Sequence, residues 1–286
     1  MKTLDDTGLA RAAEFLRLNG RLIDRRRFAL HFRGGSAAPV LAALRAYENP
    51  DGGYGHALEP DLRGEASQPV PAQHALEILH EAGADGDPAV TRIGGYLASI
   101  TAADGGVPFV LPTVRDAPHA PWWQTPDDPP GSINPTAALA GLLHRAGSEH
   151  PWLGPATDFC WRHVEKADSE PGAYDVLDIL AFLDHVPDRD RAEAAFTRLH
   201  DALAANAHSD HQAPLDFVPH PGGYGRRLFA CDVVDAGLDA LIEAQGDDGG
   251  WDVDFPVWTP ITRPEWRGFI TVERLRTLRA HGRLKP

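Results

Sequence analysis

The sequence contains only two cysteines, Cys160 and Cys231, among 286 residues. Two thiols that lie far apart cannot form a disulfide framework, and they predict reduced cysteines in a cytoplasmic protein. The amino-terminal segment lacks the basic start, apolar run and small-residue cleavage site of a secretory signal, which favours the same location. No run of about 18 apolar residues is present, so we expect no membrane span.

Basic side chains are scarce as well, since 27 Lys and Arg face 41 Asp and Glu and the formal charge is −14. We expect the acidic side chains to be spread along the chain, because no block of like charge indicates a binding tail. Nucleic acids and anionic membrane surfaces bind to basic faces, so neither is expected as a partner. Nothing in the sequence predicts an oligomeric state.

The chain is rich in helical periodicity, because apolar residues recur at spacings of three and four. No segment alternates apolar and polar residues for long enough to require a sheet. We expect helices at residues 8–18, 21–32, 37–47, 70–82, 88–101, 135–146, 152–166, 173–185, 188–206, 228–245 and 264–281. Whether 207–227 contains a further helix stays open.

A short motif recurs at three places. Asp-Gly-Gly follows a predicted helix end at residues 51–53, 104–106 and 248–250, and a large residue comes next: Tyr54, Val107 and Trp251. Glycine permits positive φ and ends helices, while aspartate accepts hydrogen bonds from nearby amides. We expect the large residue after each motif to pack between neighbouring helical hairpins.

The repeat spacing predicts an architecture. It gives about five to six helical hairpins in a closed double layer, an all-α toroid that forms one domain over residues 1–286. Long connections at 49–69, 103–133, 207–227 and 247–263 are expected to gather over the mouth of a central cavity. The link at 167–171 departs from this alternation, because it is short where a long connection is expected.

The repeats resemble those of the squalene–hopene cyclase and protein prenyltransferase superfamily, the terpenoid cyclase α/α toroids. Gln245, Gly249 and Trp251 match that family's glutamine–tryptophan repeat, and in the first copy Glu48 and Tyr54 replace the two signature residues. The segments at residues 53–63 and 119–123 also resemble small bacterial proteins described as prenyltransferase-like. The resemblance implies a toroid fold and an apolar, isoprenoid-type substrate in the central cavity.

The resemblance also implies an acid motif to look for. Class II terpene cyclases of this superfamily protonate an alkene with Asp-x-Asp-Asp, and that motif is absent from this chain. Asp252-x-Asp254 and Asp127-Asp128 each supply only part of it.

Prenyltransferase β-subunits of the superfamily bind zinc through an Asp-x-Cys pair and a distant histidine. Asp158-x-Cys160 matches the pair, with His220 or His211 as a possible third ligand. The pair lies in a charged helix that is more typical of an outer layer, and zinc needs three or four converging ligands. We therefore predict no cofactor, and zinc at Asp158, Cys160 and His220 is the alternative.

The loop after the first repeat concentrates chemically active side chains. Glu59 and Asp61 are candidate catalytic acids, since apolar surroundings raise the pKa of a carboxyl group and favour its neutral form. Tyr54, His56 and Arg63 are expected to contact the substrate. In the competing interpretation, Arg63 keeps a neighbouring carboxylate ionised and only locks the loop.

Aromatic residues form the second cluster. Trp122 and Trp123 follow His119, and adjacent tryptophans are costly to leave exposed to water. Either they fill the space between hairpins, or they line the cavity together with His119. Aromatic faces would stabilise a cation there, and they would also stack on a sugar or another flat ligand.

The third cluster follows the last repeat. Asp254 is the third candidate catalytic acid, and it is flanked by Trp251 and Trp258 as possible walls. Three further residues are expected to close the cavity mouth and contact the substrate: Asp216, His220 and Tyr224.

These observations support three hypotheses of function. The leading one is a terpenoid cyclase-like or prenyltransferase-like enzyme that acts on an apolar substrate, with a cavity carboxylate as the acid. The second is a carbohydrate-active lyase or hydrolase, because paired carboxylates with stacking tryptophans suit glycosides. The third is a non-catalytic toroid that binds a lipid or a peptide.

Overall fold

The structure is a computed structural model that describes residues 1–166 and 171–285. Within these ranges the chain forms eleven α-helices and four short 3₁₀ helices, and it pairs strands only as isolated bridges. The α-helices are α1 Asp6–Asn19, α2 Leu22–Phe32, α3 Ala37–Leu44, α4 Pro69–Glu81, α5 Pro88–Ser99, α6 Ile133–Arg145, α7 Leu153–Lys166, α8 Ala173–His185, α9 Arg189–Asn206, α10 Cys231–Glu243 and α11 Thr262–Ala280. Residues 167–170 of the predicted short link lie outside the described residues.

The predicted helices are confirmed, with small shifts at their ends. The helix over 173–185 begins and ends where it was predicted. The helix predicted at 37–47 ends at Leu44, because Arg45–Tyr47 continues as a 3₁₀ turn. Residues 207–227 hold no α-helix, but two 3₁₀ helices, Pro214–Phe217 and Tyr224–Leu228, lie in or across this segment. None of the described helices is both long and apolar enough to cross a membrane.

The chain divides into two compact units. Unit 1 comprises residues 1–43 and 207–286, and unit 2 comprises residues 44–206. In unit 1, α11 packs against α1 and α2 over an apolar core, which includes Phe15, Leu238 and Val272. The single domain expected from the sequence stays a prediction.

Unit 2 is built from helical hairpins. α4 packs against α5, α6 packs against α7, and α8 packs against α9, so each pair forms a hairpin. In addition, α6 packs along both α4 and α8. α6 is almost completely buried, and its residues from Pro135 to Leu143 are small or apolar. At the start of α5, Asp87 accepts a hydrogen bond from the Ala89 amide and caps the helix.

The three Asp-Gly-Gly motifs form the same turn. In each, the aspartate side chain accepts a hydrogen bond from the amide of the second glycine, over 2.9 Å for Asp51 and Gly53, 3.1 Å for Asp104 and Gly106, and 3.1 Å for Asp248 and Gly250. The first glycine is left-handed in every copy, with φ of 84° at Gly52, 94° at Gly105 and 91° at Gly249. The repeat predicted from the sequence is therefore a structural repeat.

The residue after each turn is buried, as predicted. Tyr54, Val107 and Trp251 are at most 2% exposed. In unit 1, the Trp251 indole N–H donates to the Leu241 carbonyl over 2.7 Å. The Gln245 amide donates to the carbonyls of Gly8 and Gly249, so that it holds the last turn against α1.

Candidate functional site

The loop that follows the first turn has a strained backbone. His56 and Ala57 both lie in the left-handed region, with φ of 55° and 60°. Residues other than glycine adopt this conformation at a free-energy cost of about 1 kcal/mol or more, and such strain is concentrated at functional sites. Directly after it, Glu59 and Asp61 are each only 3% exposed. The loop therefore buries two carboxyl groups, and their predicted role as acids stays a prediction.

A second loop pairs with this one. The Arg63 amide donates to the Pro118 carbonyl and the Ala120 amide donates to the Asp61 carbonyl, both over 3.0 Å. Leu62 and His119 form an antiparallel bridge between these bonds. The loops thus bring together the sequence-predicted residues Asp61, Arg63 and His119. The recess between them, with a volume of about 10 Å³, has room for about one water molecule.

Tyr54, His56 and Arg63 have different surroundings. The Tyr54 side chain is buried, and burial raises the pKa of its phenol. The His56 side chain is exposed and its Nε2 lies 2.9 Å from Asn49 Oδ1. The Arg63 guanidinium donates to the Pro60 carbonyl over 3.2 Å. The roles predicted for these residues in substrate binding stay predictions.

His74, which was not predicted from the sequence, links Glu59 to α4. His74 Nε2 lies 2.9 Å from Glu59 Oε2, and His74 Nδ1 lies 3.2 Å from Glu77 Oε2. His74 and Glu77 share a face of α4 because they are three residues apart. The Gln73 amide donates to the other oxygen of Glu77 over 3.0 Å. A single imidazole therefore joins two carboxyl groups.

Charge in this arrangement is fixed by the hydrogen bonds. Burial alone would lower the pKa of His74, but the hydrogen bonds to Glu59 and Glu77 outweigh it and raise that pKa to about 10. Burial would raise the pKa of Glu77, but the hydrogen bond from His74 lowers it. At neutral pH an imidazolium therefore lies against an ionised Glu77. The Glu77 side chain remains 36% exposed, so water reaches the site from this side.

A further carboxyl group, that of Asp178 on α8, is nearly completely buried. Asp178 is 7% exposed, and its Oδ2 has no hydrogen-bond partner among the described residues. Burial, followed by the negative charges of Glu77 and Asp175, raises the pKa of Asp178 well above its ordinary value. Asp178 therefore holds a proton where an exposed aspartate would have lost it. We call Glu59, His74 and Glu77 the carboxyl–imidazole cluster.

The sequence did contain a signal for Asp178. The buried face of α8 carries Val176, Ile179 and Leu183, and Asp178 occupies a position on that apolar face. A carboxyl group is rarely buried there without a functional reason or a partner. One turn earlier, Asp175 accepts a hydrogen bond from the Gly172 amide and caps the helix, while burial raises its pKa as well.

The two adjacent tryptophans lie in different surroundings. Trp123 is 6% exposed and stacks on Phe109, with ring centroids 4.7 Å apart. Its indole nitrogen is buried without a hydrogen-bond partner among the described residues. Trp122 is 43% exposed, so the expectation that both indoles are shielded from water is wrong for this residue. Of the two adjacent tryptophans, only Trp123 is buried.

The third candidate acid lies in unit 1 and is open to solvent. The Asp254 side chain is 67% exposed and lies 3.5 Å from an Arg274 nitrogen. Asp254 thus lacks the burial that the sequence analysis expected of a cavity acid. Asp252 pairs with Arg263, which lowers the pKa of Asp252.

The remaining unit 1 candidates divide into buried and exposed residues. Tyr224 and Trp251 are buried, and Trp258 is half-buried with an indole nitrogen that has no partner among the described residues. His220 is exposed. Asp216 accepts hydrogen bonds from the Ala213 amide and from Arg274, so it serves as a cap and an ion-pair partner.

The zinc alternative rests on side chains with opposite surroundings. On α7, Asp158 is exposed, whereas Cys160 is fully buried. Burial, followed by the charge of Asp178, raises the pKa of the Cys160 thiol, and zinc binds the thiolate. In residues 1–166 and 171–285, no three His, Cys, Asp or Glu side chains are grouped as metal ligands. Asp158 and Cys160 therefore do not fit a zinc site.

Acidic residues are not spread evenly, which corrects the sequence analysis. Unit 2 carries 10 of the 27 basic and 25 of the 41 acidic side chains, a formal charge of −15. Unit 1 is therefore close to neutral. The carboxyl–imidazole cluster lies in the unit with the strong negative charge, which raises the local concentration of cations.

No family model matches the chain, and no curated protein matches it. Several solved structures are similar to it, among them the following two. A protein from Actinoplanes is 16% identical with a TM-score of 0.63, and the match covers 96% of this chain and 99% of that one. A variant of the type II terpene cyclase MstE from Scytonema, in complex with the product merosterolic acid A, is 14% identical with a TM-score of 0.55, and 96% of each chain is covered. The likeness confirms the predicted fold class, an all-α fold of the terpenoid cyclase kind.

Proposed function

We propose that the protein is a terpenoid cyclase-like enzyme that protonates an apolar, isoprenoid-type substrate, with Asp178 as the proton donor. The observation that carries this proposal is the buried Asp178 carboxyl group, which burial and two neighbouring charges keep protonated. The likeness in fold to a type II terpene cyclase supports the substrate class. Fold alone does not determine function, so the assignment depends on the chemistry of the site.

Asp178 has the properties that alkene protonation requires. An alkene is a weak base, so its catalyst must be a neutral acid that is shielded from water. The proton passes from the Asp178 carboxyl oxygen to one alkene carbon, and the π electrons form the new C–H bond. The resulting carbocation forms a ring with another alkene and then loses a proton or captures water. The aromatic face of Phe109 or Trp123 suits the apolar part of such a substrate.

Glu59 and His74 act as positioning residues in this scheme. The imidazolium of His74 holds Glu77 ionised, and burial, together with the charge of Glu77, keeps Asp178 protonated. Glu59 anchors His74 from the opposite side. Glu59 therefore has a role in positioning rather than the role of acid that the sequence first suggested. Asp61 and Asp254 stay untested as catalytic candidates.

The proposal is tested by incubating the purified protein with linear isoprenoids in D₂O and analysing products by mass spectrometry. We expect cyclised or hydrated products that carry one deuterium from the solvent. Asp178→Asn should abolish them, while Asp158→Asn, the same substitution at an exposed position of the same unit, should retain them. Unchanged turnover in Asp178→Asn removes the assignment of the acid, and a lack of products from any linear isoprenoid contradicts the substrate class.

One observation favours a second candidate function. Glu77 is ionised and partly open to water, and it acts electrostatically on a protonated Asp178. Glycosidases use one ionised and one protonated carboxyl group, and Glu77 and Asp178 have these two states. Fluorogenic glycosides test this alternative in parallel, and their turnover with loss in Asp178→Asn would favour a carbohydrate-active enzyme over a cyclase.

A further inference from the structure

Residues 56–64 form a compact Ω-loop. The two ends of the loop are joined by a hydrogen bond from the His56 amide to the Gly64 carbonyl over 2.9 Å. The neck of the loop is narrow, because a Cβ at Gly55 would collide with the Glu65 carbonyl oxygen. Loops whose ends lie close together in this way are frequently functional. The chain therefore enters and leaves the Ω-loop side by side.

The Ω-loop is hydrogen-bonded internally. The Leu62 amide donates to the Glu59 carbonyl over 3.0 Å, and the Arg63 guanidinium donates to the Pro60 carbonyl over 3.2 Å. These bonds lie within the loop, so the loop can keep its shape when it moves. The apolar side chains of Leu58 and Leu62 are buried, which shows that the loop covers part of the interior.

Contacts with the rest of unit 2 hold the Ω-loop in place. The Glu59 side chain meets His74 on α4 over 2.9 Å. At one edge of the loop, the hydrogen bonds of the Arg63 and Ala120 amides join it to the second loop over 3.0 Å each. The packing between these parts is incomplete, because the recess of about 10 Å³ separates them and reaches Pro71 on α4. The loop is therefore held by a contact to α4 and by hydrogen bonds along one edge.

Two effects oppose this closed position of the loop. The backbone strain at His56 and Ala57 lies at the neck, where a change of dihedral angles can relieve it. The carboxyl groups of Glu59 and Asp61 are buried in the closed loop, and their removal from water costs free energy that opening recovers. Closure therefore depends on the contacts that the loop makes with α4 and with the second loop.

From these observations we propose that the Ω-loop is a flap that swings on its neck, with the contact between Glu59 and His74 as its latch. Opening breaks this contact and the hydrogen bonds of the Arg63 and Ala120 amides, and it uncovers the start of α4. Asp178 is 7% exposed, so an apolar substrate needs a movement of the protein to reach it. The role of the flap as an entrance for that substrate rests on the proposed function, whereas the motion itself does not.

Amide hydrogen exchange of the whole protein, followed by NMR, tests the motion. The Arg63 and Ala120 amides report the swing, because their hydrogen bonds join the flap to the second loop. The Leu62 amide reports the internal structure of the flap, because its acceptor lies within the same loop. We expect Arg63 and Ala120 to show similar protection and Leu62 to exchange clearly more slowly. Equal exchange at all three amides would show that the loop unfolds rather than swings, which overturns the inference.

Two variants should change this exchange in opposite directions. Glu59→Gln removes the charge of the latch and should speed exchange at Arg63 and Ala120 at least about tenfold, which is the loss of one charged hydrogen bond. Ala57→Gly relieves strain in the closed loop and should slow the same exchange about fivefold. Glu65→Gln, the same substitution at an exposed position beside the neck, is the matched control and should exchange as the original protein does.

Equal rates in Glu59→Gln and Glu65→Gln would show that Glu59 is no latch, and faster exchange in Ala57→Gly would show that the closed neck is not strained. Either result overturns the inference. Circular dichroism checks the fold of each variant. Should Glu59→Gln fail to fold, Ala57→Gly and the comparison of Leu62 with Arg63 and Ala120 still decide.

Stopped-flow tryptophan fluorescence with farnesol, a linear isoprenoid, tests the flap as an entrance. Glu59→Gln should bind farnesol with a higher association rate than Glu65→Gln does. Equal association rates would show that the substrate enters elsewhere and would overturn this role of the flap. A lack of farnesol binding in every variant would contradict the proposed substrate class, while hydrogen exchange would still decide whether the flap swings.

Discussion

His74 Nε2 lies 2.9 Å from Glu59 Oε2, across 15 positions of the sequence. This contact fastens a strained loop to the first helix of a hairpin, and a hydrogen bond to Glu77 also holds the imidazole. Glu59 is nearly completely buried, and its fixed position depends on this partner. We therefore expect this contact to stabilise the loop.

Replacing His74 by alanine should destabilise unit 2. The substitution leaves the buried Glu59 without its imidazolium partner, and breaking a buried ion pair in this way costs about 3 kcal/mol. Urea unfolding followed by circular dichroism measures the change. Replacing Asp158, an exposed residue of the same unit, serves as the control and should stay within about 0.5 kcal/mol of the original protein. A His74→Ala loss below that limit would show that the contact contributes nothing.

The pH dependence of His74 has a definite sign. The pKa of His74 rises from about 6.5 in the unfolded chain to about 10 in the folded protein, so the folded state binds the proton more tightly. This stabilisation is fully present below pH 6.5 and is lost as the pH rises through 10. Nitrogen NMR of ¹⁵N-labelled histidine should show an imidazolium at residue 74 up to at least pH 9. A midpoint near 6.5 would refute the charge assignment, and His74→Ala identifies the resonance.

Asp178→Asn should raise the stability of the protein. The pKa of Asp178 is raised by folding, so the carboxyl group opposes folding increasingly as the pH rises above its unfolded value of about 4. The amide removes this titration, and we expect the melting temperature to rise by a few degrees at neutral pH. The difference between the two proteins should grow from pH 4 to pH 8. A difference that shrinks over this range is incompatible with a buried neutral acid.

The three Asp-Gly-Gly turns should respond differently to alanine. Each first glycine has positive φ, which costs about 1 kcal/mol for alanine. At Gly105 a new Cβ would have 3.5 Å to its nearest neighbour, so only this strain applies. At Gly52 the Cβ would lie 2.6 Å from the Arg92 carbonyl oxygen, and at Gly249 it would collide with the Arg11 carbonyl. We therefore expect Gly52→Ala and Gly249→Ala to lower the free energy of unfolding by clearly more than Gly105→Ala, as measured by chemical denaturation.

Equal losses at the three positions would show that conformation alone, rather than close backbone approach, requires glycine in these turns. The loop after the first turn supplies the opposite case. Ala57 has φ of 60°, and Ala57→Gly should stabilise the protein by relieving this strain.

Local chemistry explains which features could be predicted from the sequence. Helices such as α8 follow from apolar periodicity and caps, and the Asp-Gly-Gly turns follow from glycine and aspartate within a few residues of each other. Glu59 was predicted because it lies in a loop that concentrates chemically active side chains within a few residues. The burial of that loop depends on its pairing with residues 118–120, which no local pattern indicates.

The rest of the site could not be predicted, because it is assembled by tertiary contacts. His74 and Glu77 lie on a helix that looks like any amphipathic surface, and their importance arises only when Glu59 reaches them. The position of Asp178 on the apolar face of α8 could be seen in the sequence, but the charge of Glu77 that raises its pKa comes from another helix. Asp254 shows the reverse case, since its aromatic sequence neighbours suggested burial but its side chain is largely exposed.

The central claim is that Asp178 is a buried acid that keeps its proton at neutral pH. Carbon NMR of the ¹³C-labelled aspartate carboxyl groups, with Asp178→Asn to assign the signal, measures its titration directly. We expect a midpoint well above the ordinary aspartate value of about 4 and a protonated chemical shift at pH 7. A midpoint near 4 would rule out Asp178 as the proton donor, because its carboxyl group would then be ionised at neutral pH.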